Sequence, residues 1–207
     1  MRAQLGHVYW IGGGSASGKS TIASRLAAEH GLRLYSTDDP MASHARRSTR
    51  EDSPFLTEFV AMDMDERWVH RTPATMLETF HWFRGEGFDL IVEDLLGLPR
   101  EPPVIAEGFR LLPHLVQPLL AAPTQAVWLL PTPGFRLAAL ESRGATWAIA
   151  GRTSDPETAL RNLLERDRMF TNRLRVEAHG LGLRVIEVDT GTTEEELAAQ
   201  VSETFEL

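Results

Sequence analysis

The amino-acid sequence predicts an α/β fold: a parallel sheet with helices on both faces and a phosphate-binding loop at the end of its first strand. Three observations carry this. Five short apolar runs are spaced along the chain with helical stretches between them, as strands buried on both faces of a sheet require. The first run, His7–Ile11, leads into Gly13-Gly14-Ser15-Ala16-Ser17-Gly18-Lys19-Ser20, which fits G-x-x-x-x-G-K-[ST]. The loop opens into a helical stretch, Ile22 to His30, with Ile22, Leu26 and Ala27 on one face and Gly31 as its stop.

Strand, glycine-rich loop and helix form the context that gives this motif its meaning. Of the 21 basic residues Lys19 is the only lysine; the rest are arginines. A compact ammonium on a flexible stem and a planar guanidinium are not interchangeable among phosphate oxygens. The loop residues Gly13, Gly14, Ser15, Ala16, Ser17 and Gly18, with Lys19, Ser20 and Thr21 at the helix start, are therefore read as the nucleotide cradle. Backbone N–H groups face the phosphates, Lys19 reaches the β- and γ-phosphates, and the Ser20 hydroxyl takes a place on Mg²⁺. The helix N-terminus adds its positive end.

The second strand is Leu32–Ser36, and Ser36-Thr37-Asp38-Asp39 follows it. Ligands bind outside the carboxyl ends of strands in an open α/β sheet, so Asp38 lies where it can accept a proton from an acceptor hydroxyl. The bland reading of the pair is a helix cap or an Asx-turn before Pro40, and two adjacent acids accommodate both roles. Residues 40–103 separate the second and third strands. Ser53-Pro54 and Thr72-Pro73 mark helix starts there. Thr75 to Arg84 reads as one helix ended by Gly85, and Phe88 to Leu96 fits a helix or a strand, with the helix preferred.

The third strand, Val104–Ala106, ends in Glu107-Gly108, the place for a carboxylate that orients Mg²⁺ or binds the acceptor. Ser20, Asp38 and Glu107 are thus the metal candidates, and Asp38, Asp39, Glu107 and Arg110 the acceptor-binding candidates. The fourth strand is Ala126–Leu130. Beyond it, residues 132–182 carry Arg136, Arg143, Arg152, Arg161, Arg166, Arg168, Arg173 and Arg175. Arginine stabilises a transferring phosphoryl group bidentately, although most arginines on a long helix are solvated. Arg143 and Arg152 bracket a lid-like loop, Gly144 to Gly151, and are singled out with Lys19 and Asp38 as catalytic candidates. Asp155-Pro156-Glu157 opens a helix running to about Ala178.

The last strand, Arg184–Val188, is followed by Asp189-Thr190-Gly191-Thr192 and a helix from Glu194 to Phe205. Gly191 and Thr192 can face a nucleobase, or simply turn the chain into that helix. The seven histidines show no metal-ligand spacing; His70, His81 and His114 read as surface or satisfied edge residues. Trp68, Trp82 and Phe83 suit either the core or an acceptor wall.

A chain of 207 residues fits one domain, residues 1–207. Its 43 % hydrophobic and 24 % charged content is that of a soluble globular protein. The absence of cysteine removes disulfides and thiolate metal sites and suits a reducing, cytoplasmic setting. No signal peptide and no membrane span are expected. The net charge of −8 argues against nucleic acid as a partner.

The Gly-Gly-Ser-Ala-Ser-Gly-Lys-Ser loop, Asp38 after the second strand and Glu107-Gly108 after the third resemble those of uridine kinases and related P-loop nucleoside kinases. The arginine-rich helix followed by Val-Asp-Thr resembles chloramphenicol phosphotransferase-like small-molecule kinases. The resemblance implies a P-loop NTPase fold with a five-stranded parallel sheet of order 2-3-1-4-5. It also implies a helical acceptor-binding insert, about residues 40–103, and an Arg-bearing lid, about residues 143–168. Uridine kinases continue from their Asp with Phe-Tyr, whereas Pro40-Met41 follows here, a departure at the pyrimidine-recognising position.

The function expected is ATP- and Mg²⁺-dependent phosphorylation of a hydroxyl on a small molecule. Arg46, Arg47, Arg50 and Arg67 keep a nucleotide kinase as the nearest variant, since they could bind an acceptor phosphate. A regulatory GTPase would recognise guanine through Asn-Lys-x-Asp, and no second lysine exists to supply one. A partner-driving ATPase would need a further domain or a transporter-type signature, and the sequence shows neither.

Overall fold

Five strands, Val8–Gly13 (β1), Arg33–Ser36 (β2), Val104–Glu107 (β3), Ala126–Pro131 (β4) and Arg184–Val188 (β5), form one sheet in the order β2-β3-β1-β4-β5. Every pairing is parallel. The computed structural model describes residues 2–143 and 145–207, with the side chains of all of these except 137, 140–143 and 145–147. All five strands fall where the apolar runs predict, and the strand order is the one implied by the resemblance.

Successive residues of a strand face opposite sides of a sheet, and β1 shows how this builds two cores. Trp10 packs with Trp128, Phe170 and Leu174 on one side. Its neighbour Ile11 packs on the other with Ile22, Leu26, Leu129, Val201 and Phe205. The second side is covered by Lys19–His30 (α1) and Glu194–Phe205 (α11). A capping box between Thr193 and Glu196 starts α11.

Between β2 and β3 lie Met41–Arg47 (α2), Pro54–Ala61 (α3), Met64–Trp68 (α4), Pro73–Thr79 (α5) and Phe88–Gly97 (α6). The expected helix from Thr75 to Arg84 is divided. Phe80 is extended (φ −75°, ψ 112°), and His81–Arg84 continue as a 3-10 turn that ends at Gly85. The break lets four consecutive rings turn inward. Phe80 and His81 pack on Phe59, and Phe83 stacks on Phe170 with ring centres 3.6 Å apart. Helical periodicity cannot place neighbouring residues on one side, so packing overrides it here. The ambiguous stretch at Phe88 is helical, with Ile91, Val92 and Leu95 buried on one face.

After β3 comes the short helix Pro113–Val116 (α7), and after β4 come Pro133–Arg143 (α8) and Ala145–Ala150 (α9). The expected loop from Gly144 to Gly151 is thus helical over residues 145–150; Gly144 and the side chains of Arg143 and Trp147 lie outside the described residues. Pro156–Gly180 (α10) is one helix of 25 residues, capped by Asp155, whose side chain accepts from Thr158 N. The expected lid, to about residue 168, thus takes in the first part of this helix. Residues 156–168 belong to α10, and Leu163, Arg166 and Asp167 are buried there. The insert is fastened to this helix. Asn162 Nδ2 donates to the carbonyls of Trp68 and Val69 at 3.1 and 3.2 Å, and Ser154 N donates to Asp65 Oδ1 at 2.8 Å. Among the described residues no helix is long and apolar enough to cross a membrane.

Candidate active site

The first two glycines of the motif continue the sheet. Gly13 is the last residue of β1, in register with Leu129, and Gly14 N donates to Leu129 O at 3.2 Å. The cradle proper begins at Ser15. Ala16 (φ 59°) and Gly18 (φ 81°) both take left-handed conformations, and such residues among right-handed ones curl the backbone into a concavity lined by N–H groups. Gly18 adopts that conformation without steric cost. Lys19 is buried. Its Nζ donates to Gly14 O at 2.6 Å and reaches Ser17 Oγ at 3.4 Å, while Ser17 Oγ donates to the same carbonyl at 3.0 Å. Ser20 and Thr21, in the first turn of α1, are exposed.

Beside the cradle is a cavity of about 200 Å³ lined by Gly18, Thr21, Phe135, Ala139, Thr192 and Leu197. It is mostly apolar and suits a nucleobase edge-on to the loop. Thr192 is on its wall. Gly191 is not, and its N–H is taken by Asp189 Oδ1 at 2.7 Å. Gly191 thus belongs to the turn into α11, and Thr192 lines the cavity.

Across the sheet end, Thr37 N donates to Glu107 O at 2.9 Å, which continues the β2–β3 pairing and brings Asp38 and Glu107 to one edge. Glu107 is buried and its Oε1 accepts from Ser36 Oγ at 2.6 Å. Asp38 is solvent-accessible but crowded. Loss of water and then the Glu107 charge raise its pKa above the usual carboxylate value; Lys19 and Arg110 oppose them. Asp39 is exposed. Among the described residues no group of three His, Asp or Glu side chains could hold a metal by itself. A hydroxyl such as Ser20 with one carboxylate and the phosphates is the donor set Mg²⁺ commonly uses.

Arg110 does not point to a ligand. Its guanidinium donates to the carbonyls of Thr37 and Gly87 and to His44, and it stacks on Trp82. The sequence expectation of an acceptor ligand at Arg110 is corrected: its donors serve the protein. Trp68, Trp82 and Phe83 are buried in the aromatic cluster of the insert, so the core reading holds for them.

Two arginines that were not among the catalytic candidates stand out instead. Arg136 and Arg166 are buried, and Nη1 of each lacks a hydrogen-bond partner. Arg166 donates through Nε and Nη2 to Asp167 Oδ1 at 2.9 and 2.6 Å and lies over the rings of Trp68, Phe80 and Phe83. Burial lowers the Arg136 pKa, and the Asp167 charge opposes this. The Asp167 carboxylate bonds Arg166 and attracts Arg136, which Glu165 also attracts and Arg168 repels, so the two arginines belong to one mixed charge cluster. It lies near the cradle, because Thr171, one turn beyond Asp167, abuts Gly14. Of the arginines favoured from sequence, Arg152 is exposed and the side chain of Arg143 is outside the described residues. A signal did exist: Arg166 and Asp167 interrupt the apolar stripe Leu163, Phe170, Leu174, which places both charges on a buried face.

His81 is also unlike its expected role as a satisfied edge residue. It is 2 % exposed, its Nδ1 has no partner, and burial followed by the charges of Arg110 and Arg67 pushes its pKa down to about 3.

No protein-family model matches the chain, and no curated protein matches it in sequence. Solved structures do resemble it. A gluconokinase from Sinorhizobium meliloti shares 16 % identity at a TM-score of 0.51, over 98 % of this chain and 92 % of that one. An uncharacterized protein from Eubacterium ventriosum shares 12 % identity at a TM-score of 0.50, over 96 % of this chain and 98 % of that one. At such identities the likeness is one of fold, a five-stranded parallel sheet of order β2-β3-β1-β4-β5 with helices around it.

Proposed function

We propose that the chain is an ATP-dependent phosphotransferase that moves the γ-phosphoryl group of ATP to a hydroxyl of a small molecule. One observation carries this reading: Asp38 and Lys19 stand at two different strand ends, and the charges of Lys19 and Glu107 both bear on the Asp38 carboxyl. Lysine on the phosphate side and an accessible carboxylate on the other are the parts that phosphoryl transfer to an alcohol requires.

In this reading the cradle and the cavity at Thr192 hold ATP. Mg²⁺, held by Ser20 with Asp38 or Glu107, neutralises phosphate charge when bound. Asp38 accepts the acceptor's proton. Its raised pKa brings it closer to the pH at which a general base works best. Arg136 and Arg166 supply unspent donors for the equatorial oxygens of the transferring group. A neutral acceptor is favoured over a phosphorylated one, because two insert arginines are already engaged. Arg67 donates to the carbonyls of Phe59 and Val60, and Arg47 pairs with Glu93 and Asp94.

The test is turnover of [γ-³²P]ATP with Mg²⁺, with and without a library of hydroxyl-bearing metabolites. Label transferred to an organic product in an Asp38-dependent manner supports the proposal. Release of inorganic phosphate alone, unchanged by every compound and by Asp38→Asn, would mark a hydrolase instead.

A further inference from the structure

Arg110 is 2 % exposed and bonded on several sides. Nη1 donates to Thr37 O and to His44 Nδ1, each at 3.1 Å, and Nη2 donates to Gly87 O at 3.0 Å. The guanidinium carbon sits 4.1 Å from the centre of the Trp82 ring. These four partners come from four separate segments, and none carries a negative charge. An added Cβ at Gly87 would come within 3.2 Å of Nη2, so the backbone there is in close approach to the arginine.

Arginine has no acceptor atom, so His44 Nδ1 must be the acceptor in this bond. The ring proton is then on Nε2, which donates to Asp94 Oδ2 at 2.8 Å. Tyr35 donates its hydroxyl to the same oxygen at 2.7 Å. His44 is fully buried, so the bridge is shielded from water. The chain of bonds runs from Thr37, next to Asp38, through Arg110 and His44 to Asp94 on α6. Thr37 is held from both sides, by Glu107 O on its N–H and by Arg110 on its carbonyl.

We propose that Arg110 and His44 are positioning residues. They lock the backbone that carries Asp38 to the helical insert, so a molecule seated against the insert meets the carboxylate in one geometry. This rests on the phosphotransferase reading only for what the carboxylate does, and the lock itself is measurable without it. A shift of about an ångström at a reacting group costs on the order of 10²-fold in rate, which is what the lock prevents.

The test has one arm on the wild-type protein and one on variants. In the wild type, the ¹⁵N signals of the His44 ring report the tautomer. A proton on Nε2 with a bare Nδ1 is expected, and a proton on Nδ1 overturns the proposal outright, whatever the variants do. The variants are Arg110→Met, His44→Gln and His44→Asn, each checked for folding by thermal unfolding. Asparagine places an amide oxygen near the position of Nδ1 and can still accept from Arg110; glutamine places its amide near Nε2 and cannot.

The Asp38 amide signal should move in Arg110→Met and His44→Gln and move less in His44→Asn. With an equimolar mixture of the four ribonucleosides, glucose, gluconate and glycerol as acceptors, kcat should fall by roughly 10- to 100-fold in the first two. KM for ATP should hold, and His44→Asn should lose less than His44→Gln. Equal losses in Asn and Gln, or an unmoved Asp38 signal, refute the lock. If the wild type phosphorylates nothing while the Asp38 signal responds as described, the lock stands and the phosphotransferase reading falls.

Discussion

Lys19 Nζ donates to the carbonyl oxygen of Gly14 at 2.6 Å, so the ammonium rests on the backbone of its own loop. A point-like group at the end of four methylenes can swing from that carbonyl to a phosphate oxygen. A guanidinium is wider and its donors are fixed in a plane. Lys19→Arg is expected to leave thermal stability near that of the wild type and to lower ATP turnover by on the order of 10²-fold or more, the scale of losing one well-placed charge-stabilising donor. Turnover within a few-fold of the wild type would mean that charge alone suffices there.

Thr171 and Gly14 make a second contact that can be probed by size. A Cβ on Gly14 would fall 2.7 Å from Thr171 Oγ1 and 3.1 Å from Pro131 Cδ. Gly14→Ala should therefore overpack the seam between the loop and α10, at about 1–3 kcal/mol. Thr171→Ala removes the nearer atom, so the double variant should recover part of that loss. Urea unfolding of the four proteins checks this, and strict additivity would show that the strain lies at Pro131 instead.

Arg166 and Asp167 form a buried pair, with one member also facing three aromatic rings. Arg166→Met removes both hydrogen bonds that Arg166 makes to the Asp167 carboxylate and should cost about 3–5 kcal/mol. Arg166→Met with Asp167→Leu removes both charges and should regain most of the stability. Turnover should stay low in both, because the unspent Nη1 is gone. Activity that returns together with stability would assign the pair to the core alone.

His81 should make the fold sensitive to acid. Its pKa is near 3 in the folded chain and 6.5 as an ordinary imidazole. Below 6.5 the unfolded chain takes up a proton that the folded chain refuses, so stability falls as pH drops from 6.5 toward 3. The slope from this residue approaches about 1.4 kcal/mol per pH unit. His81→Phe keeps a ring among Phe59, Phe80 and Trp82 and removes the unpartnered nitrogen. The variant should be more stable at neutral pH by about 1 kcal/mol, with a gap that widens between about pH 6.5 and pH 5. A constant gap would show that the folded chain protonates His81 as readily as the unfolded one.

The sheet was legible because its three central strands, β3, β1 and β4, are buried on both faces and because the phosphate motif fixes which strand is first. Trp10 and Ile11 need no turn signal to be read as buried. The insert was harder. Its helices have five to ten residues, too few for a clear period, and the inward row from Phe80 to Phe83 obeys packing instead. Lys19 and Asp38 could be named because a motif and a strand end locate them. Arg136 could not be separated from nineteen other arginines, since only tertiary burial sets it apart. His44 lies among Ser43, Ala45 and Arg46, with nothing local to show that it is enclosed.

The reach of α10 limits how this chain can drift in evolution. Asn162 holds the insert, Thr171 abuts the phosphate loop, and Arg175 pairs with Glu187 on β5 at 3.0 Å. Each residue of a helix advances the face by about 100°. A single codon gained or lost between Asn162 and Thr171 would rotate the loop-facing and strand-facing residues away while the insert end stayed in place. Substitutions there can be compensated one at a time; a change of length cannot. Insertions and deletions should therefore accumulate at exposed turns such as residues 48–52 and 99–102, and the span from Asn162 to Arg175 should keep its length even where its residues differ.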